Sequence, residues 1–400
     1  MKEKLLTQYA SHIISGPLNG VIVVGYCYYL AGPIALQNLA RLGALVIKVE
    51  QPTGDPSRNV FSPPIFTSLT HGQLSVTVDS KQEKDQQFLQ ALLRTADVVV
   101  DNRSVDAQEG DKVLQNHLKM DKQNPQIYCT INGFPNAKIN RMPGLDASAQ
   151  AITGFAYSNG STTSGPLKVG VPVLDIVTGS LAVTHITAGL FFLEKNKLPL
   201  EMKNMMRIEA SLAGTSLWLQ SGQVINAFEG RESVRRGNQD QFAAPFSYYT
   251  TKNGFISIAT VNETQFENFC LHVLKNKDFH DKYPSVQTRI AFQDNFEREL
   301  NDLLKVKDKE YWARECQIYK VPVSPVLTVS EAIQEPFFAK EIVGFSQDGK
   351  PIITTGITCS MFAPKREGYT PAPSVGQHSA SLRRIADEKE EQSLQICSKL

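Results

Sequence analysis

Asp175 stands directly ahead of IVTGSLAVTHITAGLFFL, residues 176–193, a run without Asp, Glu, Lys or Arg. A carboxylate there has two uses. Asp is a favoured residue at the start of a helix, where its side chain accepts backbone N–H groups. An Asp is also ionised at pH 7, and the helix dipole stabilises the anion. Such an anion can attack a carbonyl carbon and form a reactive anhydride, which splits a hard exchange into easier steps. The residue pattern alone leaves both open. Glu50 closes an apolar run, where the ribose-binding acid of a dinucleotide site belongs. The stretch before it, however, reads GYCYYLAGP at residues 25–33, without the glycines a pyrophosphate needs for close approach. NAD binding is therefore rejected, and Glu50 reads as a solvated strand end. Cys27, Cys129, Cys270, Cys316, Cys359 and Cys397 are scattered, with no C-x-x-C pair. This predicts no metal site and no disulfide framework, but reduced thiols in a cytoplasmic protein.

The elements that must position these residues follow from periodicity. Val21 to Val24, Leu45 to Val49, Ser75 to Val78, Val98 to Val100 and Ile127 to Ile131 read as strands. Between the first two, Pro33 to Leu42 predicts a helix, with Pro at its first turn and Ala35, Leu36, Leu39 and Leu42 on one face. Gly43 fits the cap at its end. Lys81 to Thr95 predicts another helix, burying Phe88, Leu89 and Leu92. This alternation predicts an α/β fold, an open parallel sheet with helices on both faces. Residues 144 to about 230 read as helix-rich. Phe255 to Thr260 then predicts a strand of a small antiparallel sheet, followed by helices near Gln265 to Leu274 and Phe292 to Leu304. VPVSPVLT, residues 321–328, reads as a connector. The expected division is a large domain over 1–230, a smaller inserted α+β domain over 231–320, and a return segment over 321–400 that completes the first.

A chain of 400 residues exceeds one ordinary core, consistent with two lobes. Hydrophobic residues make up 42% and charged residues 20%, as in ordinary soluble proteins. A net charge of +1 gives no basic excess for nucleic acid. The first residues, MKEKLLTQYASHIISGPLNG, lack an uninterrupted apolar core and a clean cleavage site, so no signal peptide is expected. Residues 176–193 touch the lower length for a membrane span, but their Thr, Ser, His and Gly residues favour a buried helix, and no membrane association is expected.

Residues 16–58, GPLNGVIVVGYCYYLAGPIALQNLARLGALVIKVEQPTGDPSR, closely resemble the opening of the class III CoA-transferases, the CaiB/BaiF family. The shared features are Ala31-Gly32-Pro33, Leu42-Gly43-Ala44, Val46 to Glu50 and Gly54-Asp55-Pro56-Ser57-Arg58. Further blocks agree in order: Ala96 to Asn102; Pro143-Gly144-Leu145-Asp146 with Gln150-Ala151 and Gly154; Gly170 to Asp175 with Thr178-Gly179; Gly237-Asn238, Pro245 and Asn253-Gly254; and Val321-Pro322 with Pro325-Val326. The family includes formyl-CoA transferase, carnitine CoA-transferase and α-methylacyl-CoA racemase relatives.

The resemblance implies transfer of CoA from an acyl-CoA to a small carboxylic acid. It makes Asp175 the nucleophile, with an aspartyl anhydride and an enzyme–CoA thioester as intermediates. Coenzyme A enters as part of the substrate, and no bound cofactor is implied. It implies a Rossmann-like large domain and an interlocked homodimer. It places Leu30 and Ala31 along the thiol arm, and Gln51, Val78, Asp79, Ser80, Lys81, Asn102, Arg103, Ser104 and Leu145 around CoA, with Lys81 and Arg103 able to meet phosphates. Asp146 reads as structural, holding a helix end. The racemases carry His where Leu145 stands, and leucine moves no proton, so the racemase alternative lacks a base. Departures keep a second alternative open, a catalytically silent CoA-binding member. Gly72-Gln73-Leu74 replaces a basic pair, and Gln51 stands where formyl-CoA transferase has Arg. Arg103-Ser104-Val105 replaces a P-G turn, Lys197 to Leu200 replace T-G-x-G-Q, and Gly237 is what remains of a glycine run.

Overall fold

The computed structural model describes residues 1–120, 125–135, 144–161, 163–196, 205–336, 343–345, 351–353 and 370–397. Pro143, Lys197 to Leu200, Cys359 and the Cys397 side chain, which figure in the sequence reading, lie outside the described residues.

The α/β expectation holds. Six parallel strands form one sheet: β1 (Ile22–Tyr26), β2 (Leu45–Glu50), β3 (Leu74–Thr77), β4 (Val98–Asp101), β5 (Ile127–Asn132) and β6 (Met206–Ser211), in the order β3-β2-β1-β4-β5-β6. That order is the doubly wound one, with its switch point between β1 and β4. Side chains alternate between two cores, as the two-residue strand period requires. Val23, Val46, Val98 and Val100 point to one, where they meet Ala35, Leu36 and Leu39 of the helix Ala31–Arg41, and Ala182 and Ile186 of the long helix Val173–Lys195. Ile22, Val24, Leu45, Ile47 and Val99 point to the other, where they meet Phe88, Leu89 and Leu92 of the helix Glu83–Thr95 and Leu382 and Ile385 near the end of the chain. The strands β1 to β5 are buried on both faces, which is why they read as continuous apolar runs.

The long helix departs from its expected burial. Leu174, Thr178, Ala182, Ile186 and Gly189 are buried on one face. Ile176 and Phe191 on its other side are 41% and 64% exposed, and Phe192, in its last turn, is 45% exposed. By length and composition it is the one described helix that could cross a membrane.

The chain divides into two compact units: Met1–Phe155 with Lys168–Glu229 and Lys340–Leu400, and Ala156–Leu167 with Gly230–Ala339. Two expected boundaries are corrected. Residues 156–167 belong to the second unit; there the Arg235 guanidinium lies 4.5 Å from the Tyr157 ring centre. VPVSPVLT is not a connector. Val323–Val326 forms β9, the third strand of the antiparallel sheet with β7 (Phe246–Thr251) and β8 (Gly254–Ala259), so the second unit runs to residue 339. An edge strand tolerates its prolines, because one side needs no ladder donors. Phe266, Phe269, Phe296, Tyr249 and Trp312 build this unit's own core.

Candidate active site at the head of the long helix

The long helix begins at Val173, so Asp175 is its third residue and not the residue ahead of it. The capping role falls to Asp146. Its Oδ2 accepts the backbone N–H of Leu174 at 2.8 Å and of Asp175 at 3.3 Å. Asp146 opens the helix Asp146–Ile152, and Gln150 one turn on donates to Asp146 Oδ1 while its own Oε1 accepts Val169 N at 2.9 Å. The expectation that Asp146 holds a helix end is thus met by direct bonds. Ala149, Leu174 and Leu212 pack beneath as a small apolar cluster.

Two neighbours fix the next turn. Thr178 Oγ1 donates to Thr215 Oγ1 at 2.8 Å. Gly179 lies so close to the first turn of the helix Ala31–Arg41 that a Cβ there would stand 2.5 Å from the Ala31 carbonyl oxygen. The T-G pair after Asp175 therefore has a packing reason. It sets the turn after Asp175 directly against the first turn of the helix Ala31–Arg41.

Asp175 is partly buried, and its acidity follows from this setting. Burial first, and the nearby Asp146 carboxylate second, push its pKa up to about 7. Both disfavour a second negative charge at one helix end. A carboxylate so placed is a stronger base and nucleophile than a solvated one, once its proton is off.

Apart from Leu145, the residues expected around CoA follow the carboxyl ends of the parallel strands, the edge where doubly wound folds bind ligands. Leu30 and Ala31 follow β1, Gln51 follows β2, Val78 to Lys81 follow β3, and Asn102 to Ser104 follow β4. The Asn102 side chain spans the switch point, accepting Tyr28 N at 2.9 Å and donating to Tyr28 O at 2.8 Å. Gln51, Ser80 and Lys81 are exposed, and Val78 is buried. Asp79 Oδ1 accepts Lys81 N at 3.0 Å. Ser104 caps a short helix through Ala107 N at 3.3 Å. Leu145 is 61% exposed, directly before Asp146.

Arg103 needs correction. It does not present a free guanidinium to phosphate. It pairs with Asp101 at 2.7 Å and Asp111 at 3.1 Å, and its Cζ lies 4.0 Å from the Tyr26 ring centre. With Asp101 fully buried, the arginine offsets a charge that would otherwise be unpaired. Gln73, in the Gly72-Gln73-Leu74 stretch ahead of β3, is buried as well and donates to Leu69 O at 2.9 Å.

Glu50 is also corrected. It is not solvated but buried, and Arg58 grips it with Nη2 at 2.7 Å and Nε at 2.9 Å. Asp55 N donates to Glu50 Oε2 at 2.8 Å. Lys48, fully buried, pairs with Asp55 at 2.7 Å and donates to Cys27 O. Sequence reasoning missed these pairs, although the signal was in hand: Lys48 and Glu50 of VIKVE alternate with Asp55 and Arg58 of GDPSR. Together they fasten the loops after β1 and β2. Among the described residues no group of three or more His, Cys, Asp or Glu is placed to hold a metal.

Residues 18–379 match the model of CoA-transferase family III. The chain is 28% identical to a succinate–glutarate CoA-transferase of Agrobacterium fabrum, over 92% of this chain and 94% of that one. It is 27% identical to a succinyl-CoA:mesaconate CoA-transferase of Haloarcula hispanica, over 92% and 96%. A crystal structure of a CaiB/BaiF family protein from Brucella suis superposes with a TM-score of 0.81 at 25% identity, covering 93% of this chain and 99% of that one.

Proposed function

We propose, from the fact that the chain belongs to CoA-transferase family III, that it moves CoA between short dicarboxylic acids with Asp175 as the nucleophile. The enzyme class is that of the family: CoA passes from an acyl-CoA to a carboxylic acid. The dicarboxylic preference is supported by the names of the two relatives, which act on succinate, glutarate and mesaconate. The observation that carries the assignment of Asp175 is its position. It is a partly buried carboxylate in the first turn of the long helix, one turn from the Gly179–Ala31 contact at the sheet's carboxyl edge.

The reaction runs as four balanced exchanges. The Asp175 carboxylate adds to the thioester carbonyl, the C–S bond breaks, and CoA leaves as thiolate, giving an acyl–aspartyl anhydride. The thiolate adds to the Asp175 carbonyl carbon and expels the first acid as a carboxylate, giving an enzyme–CoA thioester. The acceptor carboxylate attacks that thioester and frees CoA thiolate again. The thiolate then attacks the acceptor's carbonyl carbon and releases the new acyl-CoA and the Asp175 carboxylate. Each step exchanges one acyl bond for another, so no proton or electron needs a separate source.

An interlocked homodimer is part of the proposal. It is supported by the apolar face that the long helix leaves uncovered and by Trp218 and Phe228 nearby in sequence order, 61% and 90% exposed. Incubation with succinyl-CoA, glutaryl-CoA and other acyl-CoAs, followed by mass analysis of the peptide containing Asp175, tests the chemistry. An acyl or CoA adduct is expected in the wild type and none in Asp175→Asn. No adduct with any donor, together with unchanged transfer by Asp175→Asn, would remove the assignment.

A further inference from the structure

Three described residues other than glycine hold a positive φ: Tyr29 at 61°, Lys275 at 55° and Lys320 at 55°. Two of them are explained by helix endings. Beyond Lys275 the N–H of Asn276 returns to Cys270 O at 2.9 Å, and beyond Lys320 that of Val321 returns to Cys316 O at 2.9 Å. Such bonds close a helix through a left-handed residue. Tyr29 ends no helix. It precedes one, in the loop between β1 and the helix Ala31–Arg41. A bulky residue in this conformation is strained, and glycine would take the same turn without the steric cost.

The surroundings hold the strain in place. Tyr28 is clamped by Asn102 through both its N–H and its carbonyl. Tyr29 N donates to Ser57 Oγ at 2.7 Å, and Ser57 N in turn donates to Asp55 Oδ1 at 2.7 Å. Lys48 holds the carbonyl of Cys27. The core does not need the ring, since Tyr29 is 50% exposed. Strain kept by surrounding bonds, on a side chain that is half exposed, points to use at a site. The location agrees: Ala31, two residues on, touches Gly179, one turn from Asp175.

We propose that Tyr29 is a specificity-determining residue. Its ring flanks the acyl group of the bound thioester, and its phenol O–H donates to the far carboxylate of a dicarboxylic acyl chain. The chemistry suits tyrosine, which joins an apolar body to a polar tip. The inference rests on the CoA-transfer reading above.

The test measures the single-turnover rate of adduct formation on Asp175 with succinyl-CoA and butyryl-CoA, in wild type, Tyr29→Phe and Tyr29→Gly. The wild type favours succinyl-CoA. Tyr29→Phe cuts that preference by roughly 10- to 100-fold, the worth of a hydrogen bond to a charged group, and acts on succinyl-CoA alone. Tyr29→Gly slows both donors, yet raises Tm by about 1–3 °C as the strain is relieved. An unchanged succinyl-to-butyryl ratio in Tyr29→Phe, or a wild type that favours butyryl-CoA, overturns the inference while leaving Asp175 as the nucleophile. Absence of any adduct in the wild type overturns the Asp175 reading itself, and this inference with it.

Discussion

A carboxylate whose proton leaves near pH 7 is a nucleophile above that pH and a poor one below it. Burial and Asp146 bring Asp175 to about 7. We therefore expect kcat/KM for the acyl-CoA to fall about tenfold per pH unit below 7, with a plateau above. Asp146→Asn removes one cause of the shift while keeping an oxygen to cap the helix, so its limb should move to lower pH. A limb that stays in place would show that Asp146 does not set the acidity. The same shift has a stability consequence. The folded state holds the Asp175 proton more tightly than the unfolded chain, whose value is about 3.9. Stability contributed by this group is therefore full below pH 4 and is lost as pH rises to 7. Asp175→Asn escapes that loss. It should match the wild type near pH 4 and exceed it at pH 8 by on the order of 2 kcal/mol, read from urea unfolding at both pH values. Sequence singled out this carboxylate through the resemblance of Gly170 to Asp175 and Thr178-Gly179 to the family block, since its place ahead of an apolar run fits a helix cap equally well. It could not show the acidity, because Asp146 lies twenty-nine positions away along the chain and meets Asp175 through the helix end.

Whole elements carry the next set of constraints. The strands β1 to β5 and their helices were legible because each strand is buried on both faces and each helix has one apolar stripe. The strand β6, MRIEAS, was not. It sits at the sheet's edge with exposed Arg207 and Glu209 alternating along it, which blurs the apolar signal. VPVSPVLT was misread because its prolines suggest a connector, whereas an edge strand can hold them. Charge inside an element was the other blind spot. Lys48 and Glu50 look like solvated residues, yet both lie in the sheet's interior with partners from one loop. Breaking one such pair leaves its partner buried and unpaired. Lys48→Met should destabilise the fold by about 3–5 kcal/mol, and Lys48→Met with Asp55→Leu by clearly less, since the stranded charge is gone. Chemical unfolding of both variants decides it. Equal losses would mean the pair's worth lies in packing rather than charge.

At the scale of the molecule, the long helix poses a question that one chain does not answer. It carries no charge between residues 176 and 193 and has a hydropathy high enough for a membrane span, yet only one face is buried. A helix apolar on every side is normally covered on every side. Phe191 and Phe192 on that helix, and Trp218 and Phe228 on those that follow β6, are large apolar side chains left exposed to water. A second copy of the chain is the cover we propose, and symmetric pairing would place the same face on both sides of the contact. Light scattering coupled to gel filtration should give a mass twice the 44.3 kDa of one chain. Phe191→Glu combined with Trp218→Glu places two charges in the contact and should bring the mass down to that of one chain, or leave soluble aggregates with exposed apolar surface. Val306→Glu is the control, because Val306 is 64% exposed in the other compact unit and belongs to no such cluster. A wild-type mass of one chain at micromolar concentration, with the helix still protected from solvent, would mean that something other than a second copy covers it. The face would then be a docking surface for a different partner.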